Sequence, residues 1–146
     1  LTPKQIDRNL IEKYAALIAT THVSAMGDVE IKENNNVLYI TATVHNGTEK
    51  DQLWYLYNLA DPDFRAGDLV LDISVDPNAV SQKMRVDTKQ SNLNIRKGPG
   101  TETDIVSKAA HHSIVTLMSK FNDSWYLIKT EDGVEGYCSA NYLTAI

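Results

Sequence analysis

The chain has 146 residues, 42% of them hydrophobic and 23% charged, enough for one ordinary domain or two small ones with buried cores. Its formal net charge of −5 argues against nucleic acid, which needs clustered Lys and Arg, and against attraction to an anionic membrane. No apolar run approaches the roughly 20 residues that span a bilayer, and a single cysteine leaves no internal disulfide.

Helical periodicity comes first. Thr2-Pro3-Lys4-Gln5 offers an N-cap, a proline at the first helical position and a glutamine three residues after the cap. Ile6, Leu10, Tyr14, Leu17 and Ile18 then recur on one helix face, and the pattern fades by Thr20-Thr21. Two strands follow. Val29 and Ile31 alternate with charged residues, Asn34-Asn35-Asn36 makes a polar turn, and Val37 to Val44 is rich in β-formers. Leu38, Ile40, Ala42 and Val44 point to the core and their neighbours away from it.

A second helix starts at Gly47-Thr48-Glu49, carries Leu53, Leu56, Tyr57 and Ala60 as its apolar stripe, and stops at Asp61-Pro62. Leu69, Leu71, Ile73 and Val75 alternate as a third strand. The order α-β-β-α-β defines a compact α+β unit over residues 1–76. Residues 77–83 read as a linker. Beyond it the helical period vanishes and short strands separated by Gly, Pro, Asn and Asp turns run from 84 to 146, an all-β unit.

The second unit carries a series of motifs. Leu93-Asn94-Ile95-Arg96-Lys97-Gly98-Pro99-Gly100 opens it, followed by Ile105-Val106, Val115-Thr116-Leu117, Trp125-Tyr126-Leu127-Ile128, Asp132-Gly133, Gly136-Tyr137 and Tyr142-Leu143. The series resembles the bacterial SH3-like (SH3b) family, small β-barrels that usually bind in the cell envelope and do no chemistry. Asn94, Arg96, Gly98 and Pro99 match its Asn-x-Arg-x-Gly-Pro signature. The sequence departs from the family at Thr103, where many relatives carry an aromatic residue, at Ala109, where a larger aliphatic is usual, and at His112, where a turn glycine is common.

The first unit is similar to the BON domain, an α+β module of bacterial envelope proteins. Val29-Glu30-Ile31, the Val37 to Val44 strand, the Glu49 to Ala60 helix and the Leu69 to Val75 strand carry the likeness. Ala42 and Asn35-Asn36 stand where that family usually has glycine. Its helix is unusually aromatic, at Trp54-Tyr55-Leu56-Tyr57, and these rings cannot all face inward. The exposed side is expected to be a partner surface formed by Trp54 and Tyr55.

On Trp125 to Lys129, Tyr126 and Ile128 share one face and Trp125 and Leu127 the other, and a barrel interior holds only one of them. The SH3b resemblance implies that Tyr126 and Ile128 go inward and Trp125 stays partly exposed. The resemblance then implies a ligand site built from Trp125, Tyr137, Tyr142, Asn94 and Arg96, although these rings could equally just cover a small core.

The sequence offers little for catalysis. Cys138 falls on a predicted strand in a slot where relatives carry Val or Ile, so it reads as a small buried hydrophobe rather than a nucleophile. His111 and His112 are adjacent, without a carboxylate at zinc-site spacing. Asp61, Asp63, Asp68 and Asp72 lack the spacing of a calcium loop and suit a helix stop followed by a strand edge. Gly98-Pro99-Gly100 lacks the tail of a phosphate loop and reads as a turn.

No enzyme activity, cofactor or metal is expected. The expectation is an extracytoplasmic binding protein, its targeting segment removed, whose SH3b module recognises peptidoglycan or its peptides. A protein-interaction adaptor in the envelope and a BON-like lipid-surface role are the alternatives.

Overall fold

Two short helices open the described part of the chain, residues 8–146 of this computed structural model. Helix α1 (Arg8–Lys13) and helix α2 (Ala15–Ser24) are separated by Tyr14, whose φ of −106° and ψ of 21° depart from helical values. The hydrogen bonds from Tyr14 N to Leu10 O and from Ile18 N to Tyr14 O nevertheless carry across the break. Leu10, Tyr14 and Leu17 are buried on one face, as their spacing implies. The helix outlasts the fading of its pattern: the Thr21 hydroxyl donates to Leu17 O, giving a buried β-branched residue a local partner, and α2 continues to Ser24. The predicted cap at Thr2-Pro3 and the contact of Ile6 lie outside the described residues.

Strands β1 (Glu30–Asn34) and β2 (Val37–Val44) form an antiparallel hairpin closed by Asn35 and Asn36. Both asparagines have positive φ, 52° and 62°, the geometry whose twist matches paired strands. Asparagine is, after glycine, the residue that tolerates it best. Helix α3 (Gly47–Ala60) then crosses to β3 (Leu69–Val75), which pairs parallel to β2 from Leu38–Leu69 through Val44–Val75. Asn46 caps α3 by accepting from Glu49 N at 2.9 Å, which satisfies one orphan donor of the first turn, and the Glu49 carboxylate accepts from His45 N, just before the cap, at 2.8 Å.

Asp61 ends α3 with its backbone N–H, which donates to Tyr57 O, and the acidic side chains beyond the helix organise the loop to β3. Asp61 accepts twice from Ala66 N, and Asp68 holds Lys13 at 2.7 Å and the Tyr14 hydroxyl. The Asp68 bonds tie the first helices to the loop before β3.

Seven strands make the second sheet: β4 (Gln82–Val86), β5 (Leu93–Arg96), β6 (Ile105–Ala109), β7 (Ile114–Lys120), β8 (Trp125–Lys129), β9 (Glu135–Ser139) and β10 (Leu143–Ala145). Their order across the sheet is β10-β4-β7-β8-β9-β5-β6. Strand β4 begins at Gln82, inside the segment read as linker. The architecture is thus mixed α and β, with mostly strands and a β-rich C-terminal part.

Val86, Ile95, Ile128 and Cys138 fill the middle of the curled second sheet. Ala109 lies opposite Leu93, and both are buried in this core. His112 has φ +68°, which accounts for a position where glycine is common.

The other face of β8 and β9 is not solvent-exposed. Leu127 and Tyr137, paired across these strands, are fully buried in a core shared with α3 and the first sheet. Ile128 and Tyr126 face the barrel interior, while Leu127 and Trp125 face the first unit. Both faces of β8 are therefore occupied, one by the barrel and one by α3. Burying a side chain such as Leu127 contributes roughly 1.5–3 kcal/mol, which makes this junction a substantial part of the fold.

Candidate ligand groove

Asn94 lies on the outward side of β5, between the inward Leu93 and Ile95. Arg96 ends that strand, and its Nη1 donates to Thr101 O at 3.0 Å and Thr103 O at 2.8 Å. The guanidinium thus staples down the 97–104 loop while keeping its charge at the loop's edge. Thr103 works from inside the same loop. Its hydroxyl lies 2.9 Å from Gly98 O and 2.8 Å from Gly100 O and accepts from Gly98 N. The departure from an aromatic at this position is a hydroxyl that ties the turn.

Across from the loop, Asn122 Oδ1 accepts from both Ser124 N and Trp125 N at 2.8 Å, fixing the start of β8. Trp125 is half-buried and packs its inner side against the shared core. A short 3-10 turn, Ala140–Tyr142, presents Tyr142, which is 46% exposed. Asn94, Arg96, Trp125 and Tyr142 converge on one open groove of about 540 Å³, walled also by Lys89, Ser91 and Ser139.

Tyr137, the remaining residue assigned to that site, does not reach it. It is 0% exposed and points into the junction, where its hydroxyl donates to Asp51 Oδ1 at 2.8 Å. Strand alternation explains the correction: Tyr137 faces the same side as its cross-strand partner Leu127, and α3 covers that side.

Trp54, on α3, lies on no partner surface either. It is 3% exposed, with ring centroids 5.4 Å from Phe64, 5.4 Å from Tyr57 and 6.2 Å from Tyr137. The surface it meets is the barrel of its own chain, so it offers nothing to a partner. Tyr55, its neighbour on the helix, is 53% exposed.

The junction also holds charges that the sequence reading overlooked. Lys50 Nζ lies 2.9 Å from Glu135 Oε1 with only 6% of its side chain exposed, and Glu135 Oε2 accepts from Val75 N at 3.2 Å. One carboxylate therefore links α3, β3 and β9. Burial pulls the Lys50 ammonium below its usual range, against the opposing pull of Glu135. Burial likewise pushes the Asp51 carboxyl up, against hydrogen bonds that include the one from Tyr137. Removing one partner of the buried Lys50–Glu135 pair costs about 3–5 kcal/mol. A signal was available: Lys50, Trp54 and Tyr57 share the i, i+4, i+7 face of α3, beside Leu53, which extends the buried stripe beyond a single sheet contact.

Cys138 is fully buried in the barrel core, and burial alone raises its thiol to about 12. A thiol held protonated in an apolar site is a poor nucleophile. The rings of His111 and His112 stack at 3.6 Å in the turn before β7, with His111 Nδ1 3.2 Å from the Thr88 hydroxyl. Among the described residues no group of three or more His, Cys, Asp or Glu is placed to hold a metal ion. No helix among them is long and apolar enough to cross a membrane.

Residues 91–144 match the family model of the bacterial SH3 domain, and this segment, which supplies most of the groove, is SH3b-like. A solved structure, NlpC1 from Trichomonas vaginalis, aligns with 46% of this chain and 23% of its own length, at 22% identity and a TM-score of 0.40. The aligned part is under a quarter of that protein. The comparison with curated proteins gives no match.

Proposed function

We propose that this is a non-catalytic binding protein of the bacterial envelope, extracytoplasmic, whose SH3b groove takes peptidoglycan or its peptides. The observation that carries the reading is the convergence of Asn94, Arg96, Trp125 and Tyr142 on one open groove within the segment that matches the bacterial SH3 domain. Half-exposed rings pack apolar faces of a peptide or sugar while flanking amides and hydroxyls pair with its polar groups. The buried, protonated Cys138 supports a role without chemistry.

Co-sedimentation of the full chain with purified sacculi tests this. The full chain is required, because truncation to the barrel would bare Leu127 and Tyr137. Enrichment in the pellet that Trp125→Ala abolishes and Tyr55→Ala leaves intact is the expected result. Absence of the protein from the pellet would remove the reading.

A second reading is an envelope adaptor. Tyr55 and Leu59, one turn apart on α3 and 53% and 62% exposed, favour it, since they leave an apolar strip facing outward. The first unit's antiparallel β1–β2 hairpin, with β3 added parallel through α3, supports its likeness to the BON module. A lipid-surface role would follow from that likeness, and liposome flotation tests it.

A further inference from the structure

The groove does not stop at the barrel. Thr101 and Trp125 also border a second depression of about 310 Å³, whose far wall comes from the first unit through Asn58 and Arg65. Trp125 is therefore the middle of a trough that crosses from one unit to the other. The junction that buries Trp54 and Tyr137 holds the two walls in register.

The two halves differ in charge. Lys89 and Arg96 line the barrel half, and no acidic residue lines it with them. The nearest acid in sequence, Asp87, is engaged by Arg85 at 3.1 Å and by the Thr144 hydroxyl. In a chain of net charge −5, two cations without a lining carboxylate form a local site for an anion. The far half reverses the balance, with Asp63 and Glu102 about one Arg65, whose Nη2 lies 3.9 and 3.8 Å from them. Between the ends stand the rings of Trp125 and Tyr142 and the side-chain amide of Asn94, while Asn58, in the far half, already accepts from Asp63 N at 2.9 Å and turns its NH2 group to the task of donor. A side-chain amide offers both a donor and acceptors, which matches the main chain of an extended peptide.

We infer that the trough binds an extended peptide by its free C-terminal carboxylate, held at Lys89 and Arg96, with the chain running over Trp125 onto Asn58 and Arg65 of the first unit. This rests on the reading of the groove as a peptide site and adds two things to it. It fixes the polarity of the ligand, and it makes the first unit part of the recognition surface.

Titration calorimetry on the full chain tests both additions, with an alanine tetrapeptide bearing a free C-terminal carboxylate, its C-terminal amide, and alanine dipeptide as probes. The free acid is expected to bind at least about tenfold more tightly than the amide, the factor of one charge-assisted contact. Lys89→Ala should weaken the acid and leave the amide unchanged. Asn58→Ala combined with Arg65→Ala should weaken the tetrapeptide and spare the dipeptide. Equal affinity for acid and amide, equal loss on both in Lys89→Ala, tetrapeptide affinity unchanged by Asn58→Ala with Arg65→Ala, or no binding of any probe up to about 10 mM, beyond the millimolar range of a weak site, overturns the inference. Sacculus binding without discrimination between the peptides would sink this inference while leaving the proposed function standing. Discrimination without sacculus binding would do the reverse.

Discussion

Replacing Gly98 by alanine puts the junction to a test in which the sign of the effect decides. Gly98 is not among the residues with positive φ, so its backbone conformation is open to alanine. Without a contact, losing glycine's freedom in the unfolded chain would stabilise the protein by about 0.4–1 kcal/mol. A Cβ at this position, however, would lie 2.3, 2.6 and 2.8 Å from three ring carbons of Trp54. Carbon atoms rest at about 3.5–4.0 Å, so ring or loop has to shift by roughly 1 Å. The ring is held between Tyr57, Phe64 and Tyr137. Overpacking of this kind costs about 1–3 kcal/mol, which outweighs the entropic gain. Gly98→Ala is therefore expected to lower the urea midpoint by roughly 0.5–1 M, given a slope of about 1–3 kcal/mol per M. In a Trp54→Leu background, where the ring is gone, the same change should be neutral or stabilising, and the double-mutant cycle should show coupling. A midpoint that stays or rises in the wild-type background, or an equal loss in both, would refute the packing of the two units described here.

Adjacent rings on α3 should respond very differently. Trp54→Ala is expected to cost about 3–5 kcal/mol and Tyr55→Ala less than about 0.5 kcal/mol in the same denaturation experiment. Asp51→Asn gives a pH-dependent effect. Burial raises the folded-state pKa of Asp51, so its contribution to stability is full below the unfolded value of about 3.9 and is lost as pH rises through the folded one. The amide oxygen of the variant still accepts from Tyr137. The variant should therefore melt above the wild type at pH 7, with the gap closing as the pH falls below about 4; a gap that does not change with pH contradicts this. Cys138, its thiol raised to about 12, should resist a thiol reagent at pH 8 in the native protein and react on addition of denaturant.

Much of this molecule is written in local pattern. The alternation of Leu38, Ile40, Ala42 and Val44, and that of Leu69, Leu71, Ile73 and Val75, determined which side of the first sheet is buried, because successive strand residues must face opposite ways. The Asn35-Asn36 turn followed from the tolerance of asparagine for positive φ. The motif series from Asn94 to Tyr142 was enough to recognise the C-terminal segment, and of the five site residues that the SH3b resemblance implied, four converge in space. Tertiary structure decided what the remaining aromatics do. Trp54 widens the buried stripe of α3 beyond the first sheet, and Tyr137 lies on the second apolar face of β9, whose first face already meets the barrel core. Nothing in the sequence near either residue distinguishes a face that waits for a partner from one that closes on its own chain, since burying the same ring removes the same apolar surface from water in both cases. Docking α3 on the outer face of β8 and β9 made that choice, and it turned two expected recognition residues into the joint between the units.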